Sequence, residues 1–227
     1  MGLPTSWHLP LEIRARFGQK RSGRQRAMAA EGHLLLVLHK TPQQSTRDRD
    51  AIFFWRRPNG QWEYSGQGSG LRRLVDHVEA YSQAEQALSQ AYARARSAKD
   101  YFRILERVGP LHHATRNLHV TLQAAREAIP DDRDIIDLRD WAYDLERTLE
   151  LLQADTKHAL DLHSVQVANR LNLLAAIFFP VTAIASVFGM NLASGLEGNS
   201  VPVFWSVLLV GVVLGFVTSW WALRARS

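Results

Sequence analysis

The hydrophobic positions of this 227-residue chain follow different patterns in successive stretches of the sequence. Short apolar runs at residues 33–39 and 51–57 lead into the turn signal Pro58-Asn59-Gly60, and Gln61 to Tyr64 follow it. This order predicts a small sheet with a hairpin. Residues 1–70 are therefore expected to form a basic arm and a small β-rich region.

A pair of antiparallel helices is expected in residues 71–130. Hydrophobic residues recur at helical spacing from Leu71 to about Val108, where Gly109-Pro110 predicts a break. A second helix is predicted from about Leu111 to Ala128, ending before Pro130.

Residues 131–170 predict a long stalk helix. No glycine occurs from Asp131 until Gly189, and the only proline in that stretch is Pro180. Apolar and small residues recur there at alternating steps of three and four, a heptad pattern typical of a helix packed against another helix as in a coiled coil: Ile135, Leu138, Ala142, Leu145, Leu149, Leu152, Thr156 and Ala159. The helix is expected to continue into the apolar run that follows it. The alternative is a coiled coil that ends before a separate membrane hairpin.

Two apolar runs, residues 171–191 and 203–223, predict two membrane spans. Each is about 20 residues long, which suffices for a helix to cross a hydrocarbon core of about 30 Å. Arg170 precedes the first run and Arg224 and Arg226 follow the second, whereas the loop at 192–202 contains no Lys or Arg. The positive-inside rule then predicts a multi-pass protein of the cytoplasmic membrane, in contact with its lipids, with both termini and the short tail 224–227 in the cytoplasm.

Composition narrows the function by exclusion. The net charge of +5 and the pI of about 9.9 come from a basic arm and basic flanks, set against an acidic stalk. No nucleic-acid-binding pattern accompanies the arm, so it is interpreted as a solvated or membrane-surface tail and no nucleic-acid partner is expected. The absence of cysteine excludes thiolate sites and disulfides. No catalytic motif occurs, so neither an enzyme nor a resident cofactor is expected.

The end of the first apolar run carries the strongest signature. Phe178 to Asn191 (FFPVTAIASVFGMN) ends in Gly189-Met190-Asn191, about a dozen residues before the second and last run. This segment, together with the basic end Arg224-Ala225-Arg226, resembles the CorA family of magnesium transporters, which have two membrane spans and a Gly-x-Asn signature. The resemblance is strongest over about 155–227, and the 70 residues before the first long helix imply a shortened N-terminal domain.

The resemblance implies a mainly α membrane protein that assembles as a pentameric funnel, with the first span lining the pore. Two spans enclose no pore alone, so a homo-oligomer is expected. Gly189, Met190 and Asn191 would form the selectivity filter, and Glu197 in the outer loop would attract cations. Spacing back from Gly189 gives the candidate pore-lining residues Ser186, Thr182, Phe179 (with Phe178 as the alternative), Ala175 and Leu171.

The expected activity is passive Mg²⁺ transport, with Co²⁺ or Ni²⁺ as further substrates. Asp131, Asp132, Asp134 and Asp137 are the candidate regulatory Mg²⁺ site, and the alternative is that they complement the dipole of a helix N-terminus. Two alternatives for the whole chain remain: a Zn²⁺ transporter of the same architecture, and a non-conducting, membrane-anchored coiled-coil scaffold.

Overall fold

A computed structural model describes residues 3–17, 24–42, 50–189, 205–206, 209–213, 215–217 and 220. The chain divides into two compact units, Met1–Leu160 and Asp161–Ser227. The elements of the described residues are α1 (Leu11–Arg16), β1 (Arg26–Ala30), β2 (His33–His39), β3 (Ala51–Arg56), β4 (Trp62–Tyr64), α2 (Gly70–Arg94), α3 (Ala98–Ala128) and α4 (Arg133–Gly189).

The four strands form one antiparallel sheet in the order β1-β2-β3-β4. Strand β2 is buried on both faces: Leu34, Leu36 and Leu38 belong to the core shared with the long helices, and Leu35 and Val37 belong to a second core. The predicted runs at β2 and β3 and the hairpin to β4 are confirmed. Strand β1 was not predicted, because its sequence RAMAA lacks the β-branched and aromatic residues that signal a strand.

The first seventeen residues include a folded segment on the second face of the sheet. Trp7, Leu9 and Ile13 are buried there, and Trp7 packs on Trp55 with ring centroids 5.6 Å apart. Arg14 Nη2 donates a hydrogen bond to the carbonyl oxygen of Trp7 at 3.0 Å. The basic arm comprises residues 12–26, and its interpretation as a solvated or membrane-surface tail does not hold for residues 12–17, which belong to this folded segment although Arg14 and Arg16 themselves are exposed.

The break between the two predicted helices lies fourteen residues or so earlier than expected. Helix α2 ends at Arg94 and α3 begins at Ala98, so that Gly109-Pro110 lies inside α3. A capping box starts α3: the Ser97 hydroxyl accepts from the Asp100 N–H, and the Asp100 carboxylate accepts from the Ser97 N–H. The predicted break at Gly109-Pro110 is wrong, because this cap fixes the start of α3 and packing of its buried face carries the helix past the proline.

Helix α4 is continuous from Arg133 to Gly189, with Pro180 inside it. This confirms the predicted continuity of the stalk helix with the first apolar run. Seven of the eight predicted seam residues are buried and Ala159 is half-buried. The seam packs in the same core as α2, α3 and the sheet, so the predicted helix–helix packing is confirmed.

The second unit contains the end of α4 and further helical residues. The described residues within 203–223 are 205–206, 209–213, 215–217 and 220, and all of them are helical. Among the residues that the structure describes, no helix combines the length and the apolar character needed to cross a membrane.

Candidate functional site

The candidate pore-lining residues lie on the last part of α4. Leu171, Ala175, Phe179, Thr182 and Ser186 are all exposed, and 75% of Phe179 is accessible. Their spacing places them along one side of the helix, since steps of three and four residues return to the same face. This stripe consists of two apolar, one small and two hydroxyl-bearing side chains, and Leu174 and Phe178 outside it are exposed as well.

Thr182 is the polar residue in the middle of this stripe. Its Oγ1 donates to the carbonyl oxygens of Phe178 and Phe179, at 2.9 and 3.0 Å. These carbonyls lie next to Pro180, which has no N–H and interrupts the helical hydrogen bonding. Back-bonding occupies the hydroxyl hydrogen of Thr182 and leaves its oxygen lone pairs as acceptors toward an ion or its water shell.

The predicted filter is only partly within the described residues. Gly189 is the last residue of α4. Met190 and Asn191 lie outside the described residues, and so does Glu197 of the predicted outer loop. Their roles stay predictions from the sequence.

The four acidic residues of the candidate regulatory site do not share one environment. The Asp132 side chain is only 8% exposed, and its Oδ2 lies 2.5 Å from Arg56 Nε, whose side chain is 14% exposed. Asp132 Oδ1 also accepts from the Ile135 N–H at 3.1 Å. Asp132 thus caps the start of α4 and pairs with a strand residue, and the alternative interpretation, a helix N-terminal charge, describes it well.

The other three acids, Asp131, Asp134 and Asp137, are exposed. Within the described residues, no ion pair is formed by any of these three carboxylates. The described part of a single chain also contains no group of three His, Cys, Asp or Glu side chains placed to hold a metal ion. A regulatory metal at these three residues stays a prediction, and within a subunit it would need further ligands.

A row of polar contacts beside the buried seam was not predicted. His112 Nδ1 lies 3.0 Å from Gln153 Oε1, and His119 Nδ1 lies 2.7 Å from Glu146 Oε2. Further along, Arg139 donates to Gln123 at 2.8 Å. The α4 members, residues 139, 146 and 153, are spaced seven apart and each follows a seam residue. Their heptad positions, which flank the seam, were the available signal.

Among the described residues of the first unit, His77 and Asp100 have shifted pKa values. Burial, with a further contribution from the nearby His39, lowers the pKa of His77 to about 4. His77 Nε2 is buried without a hydrogen-bond partner among the described residues, next to Tyr81 and Phe54. At the α3 cap, hydrogen bonds from the Ser97 side chain and from the backbone lower the pKa of Asp100. Neither group belongs to the candidate ion pathway.

Comparison with known proteins agrees with this architecture. The sequence model described as "CorA-like Mg2+ transporter protein" matches residues 103–224, just over half of the chain. The complete CorA magnesium transporter from Methanocaldococcus jannaschii is similar in fold, with a TM-score of 0.50 and 15% sequence identity over 92% of this chain and 81% of that one. The full-length CmaX protein is also similar, with a TM-score of 0.50 and 16% identity over 97% of this chain and 82% of that one. No curated protein sequence matches the chain.

The chain belongs to the CorA-like Mg²⁺ transporter family, because the matched segment covers most of α3, all of α4 and the sequence through the second apolar run. The resemblance inferred from the Gly189-Met190-Asn191 segment is thereby confirmed. The family is one of ion transporters rather than enzymes, which agrees with the absence of a catalytic motif in the sequence.

Proposed function

We propose that the chain is one subunit of a homo-oligomeric channel, a pentamer, which carries Mg²⁺ across the cytoplasmic membrane down its electrochemical gradient. Co²⁺ and Ni²⁺ are proposed as further substrates. The observation that carries this proposal is the family match over residues 103–224, which includes the Gly189-Met190-Asn191 segment. The continuity of α4 up to Gly189 supports it, since the stalk and the segment that ends at the proposed filter then belong to one helix.

The proposed pore is built from the first apolar run of each subunit. We place residues 171–191 and 203–223 in the membrane as two spans, with both termini on the cytoplasmic side. Two helices enclose no pathway, so several copies must surround a common axis. The regular spacing of the stripe from Leu171 to Ser186 along one side of α4 supports the assignment of this face to the pore wall, where Leu171 and Phe179 would be apolar constrictions that close by dewetting.

Asn191 is the proposed ion-selective residue. Mg²⁺ holds its six waters in a strict octahedron and dehydrates reluctantly. A ring of neutral amide oxygens can accept hydrogen bonds from those waters without removing them. Carboxylates would bind the hydrated ion more strongly and release it more slowly, and conduction requires release. The acidic Glu197 is proposed to raise the local cation concentration outside the filter.

Ion flux into liposomes loaded with a magnesium-sensitive dye tests the proposal. We expect Mg²⁺ influx with the purified protein and loss of that influx with Asn191→Ala. Asn199→Ala is a matched control, because it makes the same change in the same predicted outer segment. Equal influx in both variants would exclude Asn191 as the filter.

The same assay separates the alternatives. A Zn²⁺ influx larger than the Mg²⁺ influx would favour a zinc transporter of this architecture. Intact oligomers without any cation influx would favour the membrane-anchored scaffold. Oligomer size, measured by light scattering with the detergent contribution subtracted, tests the pentamer independently of conduction.

A regulatory role for Mg²⁺ is proposed for the exposed carboxylates Asp131, Asp134 and Asp137. Oxygen ligands of this kind suit Mg²⁺, and the three side chains make no ion pair within the described residues. Limited proteolysis with and without Mg²⁺ tests the role. We expect Mg²⁺ to protect the natural protein from cleavage. When all three aspartates are changed to Asn, this protection should disappear, and protection that survives the triple change would contradict the assignment.

A further inference from the structure

A cavity of about 290 Å³ opens at the connection between α2 and α3, within the first unit. Three arginines line it: Arg94 from the last turn of α2, and Arg103 and Arg107 from α3. Ala95 and Ile104, which are 4% and 5% exposed, line its apolar part. The cavity therefore combines an apolar floor with a rim of guanidinium groups.

The three arginines outnumber the acidic side chains of the cavity wall, and none of them forms a close ion pair within the described residues. The one acid of the cavity wall, Asp100, caps α3 and also interacts electrostatically with Arg103, so its single negative charge offsets only part of the positive charge. Its Oδ2 accepts from the Ser97 hydroxyl at 2.7 Å and from the Ser97 N–H at 3.1 Å. The rim keeps an excess of positive charge.

The positive charges of these exposed arginines reinforce one another. Arg103 and Arg107 are four residues apart on α3, where like charges repel by about 0.2–0.5 kcal/mol. The positive end of the α3 dipole, at Ala98, adds to the same field. A bound anion would relieve both effects. Guanidinium groups suit phosphate oxygens in particular, because their planar fork forms two parallel hydrogen bonds with them.

The size of the cavity restricts the ligand further. Its volume corresponds to that of about ten water molecules, and it lies near the lower end of the range for small-molecule sites. This volume accommodates a phosphoryl or diphosphoryl group beside the arginines together with a small organic group.

We propose that this cavity binds a phosphoryl-bearing anion, either a free organic phosphate or diphosphate or a phospholipid headgroup, and that Arg94, Arg103 and Arg107 contact its phosphate oxygens. The site lies outside the candidate ion pathway and the acidic cluster. Binding to it is measurable without ion flux, so its failure and a failure of the proposed channel function are separate results.

Isothermal titration of the detergent-solubilised full chain with inorganic pyrophosphate, in a buffer free of divalent cations and at 0.15 M salt, tests the site. We expect saturable binding with one pyrophosphate per chain, and at least tenfold weaker binding in Arg103→Gln and in Arg107→Gln. Arg72→Gln is the matched control, since it removes an exposed arginine from the opposite end of α2, and its affinity should equal that of the natural protein.

Arg103→Lys keeps the charge and loses the fork, so its affinity should lie between those of the natural protein and Arg103→Gln. The thermal midpoint of each variant shows that it is folded. Competition with a soluble short-chain phosphatidylglycerol distinguishes the two sources. If the lipid displaces bound pyrophosphate at a concentration below that of pyrophosphate, the natural ligand is a lipid headgroup. If displacement requires a higher lipid concentration, the natural ligand is a free phosphate. Equal weakening in Arg72→Gln, or no binding of either probe, would overturn the proposal.

Discussion

Asp132 is a residue whose structural role explains its position in an acidic cluster. It caps α4 through the Ile135 N–H and pairs with Arg56 in a largely buried setting. Asp132→Ala removes the cap and leaves a buried guanidinium without its partner, so we expect the free energy of unfolding to fall by about 3 kcal/mol. Denaturant unfolding followed by tryptophan fluorescence measures this change.

Asp131→Ala is the control for that prediction. Asp131 is exposed and adjacent in sequence, so its removal should change the free energy of unfolding by less than about 0.5 kcal/mol. Equal destabilisation by the two changes would show that the Arg56–Asp132 pair contributes nothing particular to the fold.

The lowered pKa of His77 predicts how the free energy of unfolding depends on pH. Its pKa is about 4 in the folded protein, against about 6.5 in an unfolded chain. Between these values the unfolded chain binds a proton that the folded protein does not bind. The free energy of unfolding is therefore highest above pH 6.5 and should fall by about 3 kcal/mol as the pH decreases toward 4.

His77→Leu should flatten this pH dependence by the equivalent of one proton in that window. Denaturant unfolding at a series of pH values measures the slope, and His158→Leu, which changes an exposed histidine of α4, should leave it unaltered. An unchanged slope in His77→Leu would mean that other groups cause the acid sensitivity.

At the scale of elements, two local sequence signals compete to set where α2 ends and α3 begins: Gly109-Pro110, which favours a break, and the capping box at Ser97, which starts a helix. A Cβ added to Gly109 would meet no atom within 4 Å, and the residue lies inside α3. Gly109→Ala should therefore raise the free energy of unfolding by about 0.5–1 kcal/mol, because alanine loses less backbone entropy in a helix.

Ser97→Ala should lower the free energy of unfolding by about 1 kcal/mol, because it removes the side-chain cap of α3. Denaturant unfolding of both variants checks the two signs, and a destabilising Gly109→Ala would support a break at that position.

The elements that could be predicted from sequence are those whose signal is periodic and long. The seam from Ile135 to Thr156 repeats over several turns, so its burial was predictable, and the apolar runs of β2 and β3 were equally clear. The position of the α2–α3 connection depended on a capping box with Asp100 in place of the usual Glu or Gln. The capping box is a weaker sequence signal than Gly109-Pro110, yet it determined where α3 begins. The proline inside α3 is tolerated because that helix is packed in the core.

The candidate sites show the same limit. The filter Gly189-Met190-Asn191 was inferred from a contiguous motif and its family resemblance, and the pore stripe from regular helical spacing; both stay predictions. The arginine cavity joins Arg94 to Arg103 and Arg107 across the α2–α3 connection, and no spacing rule places Arg94 beside the other two. The Arg56–Asp132 pair joins residues 76 positions apart. Contacts that depend on tertiary packing leave no local signature.

At the scale of the whole molecule, conduction by a homo-oligomer requires one face of the first apolar run to meet water. The chain contains no cysteine, so single cysteines can report the water access of each face. Ala175 lies on the proposed pore stripe, and Leu173 lies two positions earlier, about 160° away around the helix. Ala175 is exposed and Leu173 is half-buried in the described structure.

We expect Ala175→Cys in liposomes to react with a charged methanethiosulfonate reagent and to lose most of its Mg²⁺ influx as a result. A charged reagent reaches a thiolate only through water, so Leu173→Cys should stay unmodified and keep its influx. Mass spectrometry of the labelled protein and the flux assay measure the two effects separately. Modification of both positions at equal rates, or labelling of Ala175→Cys without any loss of influx, would contradict the assignment of this stripe to the pore wall, whatever ion the channel carries.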